Sequence, residues 1–258
     1  MPYRYLFSLL PLLVGLSLNG ASQSVEGGQP VVGEKAIYEL RWSYFAVGSV
    51  EIRLDPSEEN EEMLRATLEA KANAFMRRVH DFHTVIASDF PASVEKSHGY
   101  SRDELANENL HETQFEWEEG TVRYVRNQDV RAPLQLQPLT HDPLSIVFAF
   151  RSGAMPLKPG TYLAWVTDGE VIDQAEFKVK GPEKIKTPAG KFETYRVTAD
   201  FKGVRAIFAR PEGALIDVWI TNDDRMIPVK LKSEATIGSF RSELEEYIPA
   251  GEAGSQTK

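Results

Sequence analysis

The sequence predicts an all-β fold, an antiparallel, strongly curved sheet or open barrel that carries one short helix. Three observations predict it. Apolar residues recur at every second position in segment after segment from residue 34 onward. Gly, Pro, Asn and Asp clusters separate those segments, and strands never alternate with long helical patterns in the way a parallel βαβ sheet requires.

Tyr38, Leu40, Trp42 and Tyr44 alternate with Glu39, Arg41 and Ser43, the pattern of a half-buried strand. Ala46-Val47-Gly48 reads as a tight connection into Val50, Ile52 and Leu54, which alternate with Glu51 and Arg53, so residues 34 to 56 form a β-hairpin. Pro56 to Glu62 is its solvated acidic exit. Met63 to Met76 mixes an alternating Leu64, Ala66, Leu68, Ala70 with helix-favouring Ala, Glu and Lys, and reads as strand to about Ala72 followed by a turn. Further strands are expected at Val79 to Ala87, Ser93 to Tyr100, Leu110 to Trp117 and Thr121 to Arg126, with Glu118-Glu119-Gly120 turning between the last two.

Pro133, Pro138 and Pro143 punctuate the middle of the chain. Asp142-Pro143 supplies an N-cap acceptor and a proline at the first helical position, where its missing N–H costs nothing. Leu144, Val147, Phe148 and Arg151 then fall at helical spacing and Gly153 follows, so a helix is expected from about 143 to 151. Strands return at Tyr162 to Val166, Val171 to Lys180, Phe192 to Phe201, Ala214 to Thr221, Pro228 to Ala235 and Ser239 to Tyr247, with Thr187-Pro188-Ala189-Gly190 suited to a type I turn. The organisation expected is one β-rich domain over residues 23–248, with 31–132 and 140–248 as possible halves, and a flexible tail over 249–258.

The first residues give the address. Met1 to Tyr5 carry one cation, Arg4, and Leu6 to Leu18 form an apolar run of 13 residues, short of the roughly 20 a membrane-spanning helix needs. Small and polar residues follow from Gly20 to Ser24, so residues 1–22 read as a cleavable signal peptide and the mature chain as periplasmic or secreted; an uncleaved anchor is the alternative. No membrane span is expected after cleavage. Cysteine is absent, which excludes disulfides, thiolate metal sites, a cysteine nucleophile and a lipid-modified cysteine. The chain carries 38 acids against 29 Lys and Arg, and its one compact basic pair, Arg77-Arg78, is too small a footprint for nucleic acid.

The chemistry-bearing residues are sparse. His80-Asp81-Phe82-His83 concentrates potential metal ligands, but on a strand positions 80 and 83 point to opposite faces, so no metal site is assigned. Carboxylate pairs such as Asp223-Asp224 could serve a glycosidase, yet Asn222-Asp223-Asp224-Arg225 between two strands is first a turn. No nucleophile elbow, P-loop, dinucleotide fingerprint or H-E-x-x-H occurs, and neither a catalytic residue nor a cofactor is assigned. The candidates for ligand binding are Trp42, Tyr44, Trp117, Trp165 and Trp219, all on expected strands, together with Asp142. Core packing is the simpler explanation of the aromatics, and helix capping explains Asp142.

Several short motifs recur in a recognisable order: Gly33-Glu34, Gly48, Asp142-Pro143-Leu144-Ser145 through Arg151, Thr187-Pro188-Ala189-Gly190-Lys191-Phe192, Trp219 with Asp224 and Pro228, and Gly238. With these the chain resembles the bacterial exported family catalogued as domain of unknown function 3108, over about residues 31 to 248. The resemblance implies a location in the envelope of a Gram-negative-type bacterium and a β-rich fold, and it supplies no catalytic residue. The function expected is a non-catalytic periplasmic protein that binds a lipid-like envelope molecule or an envelope-assembly protein. The alternatives are an enzyme acting on envelope glycans through paired carboxylates and a structural interaction module. Oligomeric state is not legible in the chain.

Overall fold

A computed structural model of the 258-residue chain describes residue 28 and residues 30–106, 109–204, 213–234 and 238–251. The expected signal peptide and residues 252–258 of the expected tail lie outside these.

The described residues form fifteen strands: β1 (Lys35–Trp42), β2 (Phe45–Pro56), β3 (Met63–Ala72), β4 (Phe82–Pro91), β5 (Gly99–Ala106), β6 (Asn109–Glu118), β7 (Thr121–Arg126), β8 (Asp129–Val130), β9 (Leu134–Gln135), β10 (Gly160–Thr167), β11 (Ile172–Thr187), β12 (Gly190–Asp200), β13 (Ile216–Thr221), β14 (Pro228–Glu234) and β15 (Ser239–Ile248). One α-helix, α1 (Ser145–Ser152), and one 3-10 turn (Met76–Arg78) complete them. The strands make one antiparallel sheet in the order β10-β11-β12-β13-β14-β15-β1-β2-β3-β4-β5-β6-β7-β8, with β9 on β7. Strands nearest in sequence pair as hairpins, and the long-range step is β1 on β15, which sets Lys35 opposite Ile248 and Trp42 opposite Phe240. That pairing joins the two segments into a continuous all-β sheet.

The sheet curls without closing. Its free edges, β10 and β7–β8, are bridged by the segment that follows β9. Leu136 N–H donates to Gly120, Ser97 N–H donates to Thr140, and His141 exchanges backbone bonds with β10, donating to Trp165 and accepting from Thr167. Gly169, just past β10, lies so close to β6 and β7 that a Cβ would stand 2.8 Å from the Phe115 ring, which leaves room only for glycine. The result is an open barrel rather than a closed one.

Period-two burial is clear along β1, where Ala36, Tyr38 and Leu40 are buried, and β11, where Ala175, Phe177 and Val179 are. Those side chains point inward and meet α1, which fills the concave side. Phe148 tilts against Phe90 at 5.3 Å, Phe150 packs edge-on to Phe177 at 5.5 Å, and Phe177 meets Phe201 at 5.7 Å. The helix is buried nearly all round, through Ser145, Ile146, Phe148, Ala149, Phe150 and Arg151.

Several boundaries differ from the sequence reading, among them the end of β11, which runs seven residues past Lys180 to Thr187, and four differ for a clear local reason. The first hairpin turns at Ser43-Tyr44, with Ser43 at φ 53, and not at Ala46-Val47-Gly48; a bulge between Leu40 and Arg41 shifts the register, so that Val47 and Val50 both face inward. Val79 to Asp81 lies outside β4, because Asn73 accepts from Met76 N–H and initiates a 3-10 turn that carries the chain onward. Residues 93–98 form no strand: Val94 adopts φ 51 and closes a turn on Pro91, so β5 starts only at Gly99. The helix begins at Ser145, two residues later than Pro143, and ends as expected at Gly153, which takes φ 82.

Candidate functional site

The site is built around α1. Its N-terminal end is fixed by Asp142, whose Oδ1 accepts from Leu144 N–H at 2.7 Å and Ser145 N–H at 2.9 Å. Its Oδ2 accepts from the Ser88 hydroxyl on β4 at 2.5 Å and from the Ser97 hydroxyl. Asp142, Ser88 and Ser145 have no solvent exposure. Burial pushes the Asp142 carboxyl above the usual carboxylate range, opposed by the hydroxyls of Ser88 and Ser97 and the two backbone N–H groups. Beside it, burial holds the His141 imidazole down at about 4, so it is neutral over the physiological range. Ser145, His141 and Asp142 stand together without forming a catalytic relay. Asp142 bonds serines rather than the imidazole, Ser145 Oγ is 3.4 Å from His141 Nδ1, and all three are enclosed.

The C-terminal end of α1 is fixed by Arg151, which donates through both terminal nitrogens to the Glu34 carboxylate, the Nη2 bond measuring 2.8 Å. Both side chains are about 95% buried. The Tyr247 hydroxyl donates to Glu34 Oε2 at 2.7 Å, and burial with the Glu34 charge pushes that phenol up to about 12. The Arg151 guanidinium also stands 5.3 Å from the Phe148 ring. A cation at a helix C-terminus is favoured by the helix dipole, and to this the structure adds a buried carboxylate partner 117 positions away.

Between these anchors runs an apolar cleft. Pro143, Ile146, Val147 and Phe150 form one wall; Phe177, Val197, Ala199, Phe201, Ile216, Val218, Ile220 and Leu231 form the other. Every lining side chain is apolar, and about 40 Å³ stands unfilled. Val147, Val218 and Leu231 are only half-buried, so the cleft opens to solvent along that rim. A cleft of this composition can desolvate a hydrocarbon chain, once α1 or the rim side chains move aside to admit it. A second, wider and polar opening of about 550 Å³ lies between the β4–β5 loop, the β6–β7 turn and residues 136–140; Trp117, His98, Glu118 and Glu119 line it. Volume favours the polar opening and chemistry the apolar cleft. For a hydrocarbon ligand the lining decides, because an all-apolar wall gains by leaving water and a polar wall does not.

The structure gathers only Trp42 and Tyr44 of the six candidate residues, and none of the five aromatics lines the apolar cleft. Trp42 and Tyr44 stand at the first hairpin tip, Tyr44 84% exposed. Trp117 is half-buried on β6 beside the polar opening, with its Nε1–H buried without a hydrogen-bond partner. Trp165 is half-buried on β10. Trp219 lies on the face of β13 opposite Val218 and Ile220, yet is buried at 9% exposure; its Nε1–H donates to Glu183 at 2.6 Å and Lys230 covers its ring at 5.5 Å. Asp142 is a buried anchor of the helix and reaches no cleft surface. His80 is exposed ahead of β4, while His83 bonds Glu69 at 2.7 Å, so the two serve different neighbours. Sequence reasoning missed Ser88 and Ser97, which lie 54 and 45 positions from Asp142 and carry no motif. Glu34 carried a signal, a charged residue next to Gly33 at the start of the first strand, but nothing pointed to its partner.

Fold and site together define an open-barrel β protein whose concave face is plugged by a helix anchored at both ends. The chain belongs to the family DUF3108, proteins of unknown function, whose model matches residues 37–245. Among solved structures it is similar to the beta-barrel-like protein of domain of unknown function DUF1849 from Brucella abortus, with 12% identity, a TM-score of 0.57, and 85% of this chain and 98% of that one covered. It is also matched to the hypothetical protein CT021 from Chlamydia trachomatis, with 8% identity, a TM-score of 0.35 and coverage of 85% and 88%. A protein described as exported with a YmcC-like fold, from Bacteroides fragilis, matches at 14% identity and a TM-score of 0.33, with coverage of 86% and 98%. No curated protein matches the chain. The Brucella likeness speaks for the fold, a barrel-like sheet, and the family supplies no activity. Among the described residues no helix is long and apolar enough to cross a membrane.

Proposed function

We propose that this protein is a non-catalytic exported protein that binds the apolar chain of a lipid-like envelope molecule between α1 and the inner face of β11–β14. The observation that carries the reading is the cleft whose walls are apolar throughout, held open to solvent at Val147, Val218 and Leu231. The apolar leader at residues 6–18 supports export to the periplasm. The anchors at Asp142 and Arg151 fix the helix at both ends, so a chain would enter past the half-buried rim side chains Val147, Val218 and Leu231.

The test is native mass spectrometry, with solvent extraction, of the chain purified from the periplasm of an expressing cell. A stoichiometric lipid-like mass that disappears in Ala199→Phe and Val218→Trp, which fill the cleft, supports the reading. An empty wild-type protein overturns it.

A second reading, a site for envelope glycans, is favoured by one feature: the wide polar opening with Trp117 as a stacking face and Glu118 and Glu119 at its rim. Glycan-fragment binding abolished by Trp117→Ala, with no lipid retained, would select it. An envelope-assembly protein as partner is the third reading, and pull-down from the envelope fraction tests it.

A further inference from the structure

Among the described residues, seven of the fourteen exposed large apolar side chains stand together at one end of the β1–β6 strands, and they include Trp42, Tyr44, Phe45 and Phe75. The β1–β2 turn exposes Tyr44 and Phe45, at 84% and 65%, with Trp42 beside them. The β3–β4 connection exposes Phe75 and Val79, at 64% and 70%. These two loops are fastened together by Asn73. Its N–H donates to Val47 at 2.9 Å, its side-chain amide donates to Ala46 at 2.7 Å, and its Oδ1 accepts from Met76 at the start of the 3-10 turn. Leu105 and Leu110, also exposed, lie on β5 and β6 at the same end, because Phe82 and Ala106 are opposite one another. Contiguous exposed aromatics are uncommon on a soluble surface and mark an interaction site.

Charge is distributed to match. Arg77 and Arg78 are exposed between Phe75 and Val79, and Arg41 follows β1 into the turn, bonding Glu39 and the Tyr44 carbonyl. Asp81 stands beside the two arginines, while Asp103, Glu112 and Asp129 lie further along this end, by β5, β6 and the turn after β7. Strands that run antiparallel put the β2–β3 and β6–β7 loops at the opposite end, and those carry exposed Glu58, Glu59, Glu61, Glu62, Glu118 and Glu119. A chain of net charge −9 thus presents its compact basic pair between the exposed aromatics of the two loops, and its densest run of glutamates, Glu58 to Glu62, at the opposite end.

We propose that the Trp42–Phe45 and Phe75–Val79 loops are a docking surface for an anionic phospholipid bilayer, with the aromatics entering the interfacial layer and Arg77 and Arg78 meeting the phosphates. Trp, Tyr and Phe gain from the interface because their rings are amphipathic or apolar while the polar groups around them remain hydrated. Each arginine near an anionic surface adds an attraction that salt screens. The basic rim turns the acidic end outward and so orients a protein whose overall charge would otherwise be repelled. This inference is independent of whether the cleft holds a lipid.

Vesicle flotation of the periplasmically expressed chain, its N terminus verified by mass, tests it. With phosphatidylcholine vesicles containing phosphatidylglycerol the protein is expected to float, and to release in high salt. Tyr44→Ser/Phe45→Ser/Phe75→Ser and Arg77→Glu/Arg78→Glu are each expected to lower partitioning about tenfold or more. Glu61→Lys/Glu62→Lys at the far end is expected to change it little. Every variant has the same N terminus and alters only exposed side chains, and unchanged melting temperatures confirm the fold. Absence of flotation, or flotation indifferent to both rim variants, overturns the proposal; a purified envelope protein bound by wild type and lost in the triple variant, without flotation, assigns the rim to a protein instead.

Discussion

Arg151 closes the C-terminal end of the buried helix by gripping Glu34, which precedes β1, with both terminal guanidinium nitrogens, out of reach of solvent. The pair ties the helix to the strand that joins the two segments of the sheet, since β1 is the partner of both β15 and β2. Burying such a pair does not by itself stabilise a protein, but breaking one side leaves the other charge stranded.

Glu34→Ala and Arg151→Ala are therefore each expected to cost about 3 to 5 kcal/mol. The double variant Glu34→Leu/Arg151→Met should recover much of that loss, because it removes both charges and keeps the volume. Urea denaturation of the four proteins checks this; additive losses in the double variant would show that the two side chains are not coupled.

Asp142→Ala strips the acceptor from four donors at once, two hydroxyls and two backbone N–H groups, in a place water does not reach. A loss of about 3 kcal/mol or more is expected, above the roughly 1 kcal/mol of an exposed cap. Asp142→Asn should fall between, since its amide oxygen can still cap the helix while its NH2 meets hydroxyls that now must accept. Denaturation midpoints order the three proteins.

The pH profile follows from His141. Its folded pKa, near 4, lies below the ordinary imidazole value of 6.5, so between these the unfolded chain takes up a proton that the folded chain refuses. Its contribution is complete above about pH 6.5 and is lost as pH falls toward 4, by up to about 3 kcal/mol. Asp142 acts in the opposite sense: its raised carboxyl favours folding at low pH and loses that contribution as pH rises through its folded value. His98, also held down by burial, acts in the same direction as His141. Stability measured from pH 4 to 7 should rise less steeply in His141→Gln than in wild type; identical slopes would exclude the imidazole as the cause.

Gly48→Ala places a methyl group 2.1 Å from the Lys71 carbonyl oxygen, across the β2–β3 ladder where Gly48 faces Ala72. Backbone atoms cannot turn aside as a side chain can, and the expected loss is about 3 kcal/mol. Gly120→Ala is the contrasting variant, because a Cβ there meets nothing within 4 Å although φ is 76; it should cost only the backbone strain, about 1 kcal/mol. Paired thermal melts distinguish steric from conformational cost.

What the sequence determined by itself is the set of local elements. Alternation marks Thr121–Arg126 and Ser239 to Tyr247 as strands, because side chains two apart share a face whatever the strand pairs with. Asp142-Pro143 and Gly153 delimit the helix within two residues at its start and one at its end, because caps are decided by the backbone next to them. The strand misplaced at Ser93 to Tyr100 shows the limit: Val94 has a strand former's side chain, but Pro91 and the bonds of Ser97 to Thr140 and Asp142 bend that segment away from the ladder. Only the tertiary structure decided that Trp219 lies on the face of β13 away from the cleft, that Ser88 and Ser97 close around Asp142, that Glu34 answers Arg151, and that eight side chains from the sheet meet four around α1 in an apolar cleft. Those relationships join positions up to 117 apart, and they exist because the β1–β15 pairing curls the sheet around the helix. Periodicity records which face a residue takes, and the curl selects what that face meets.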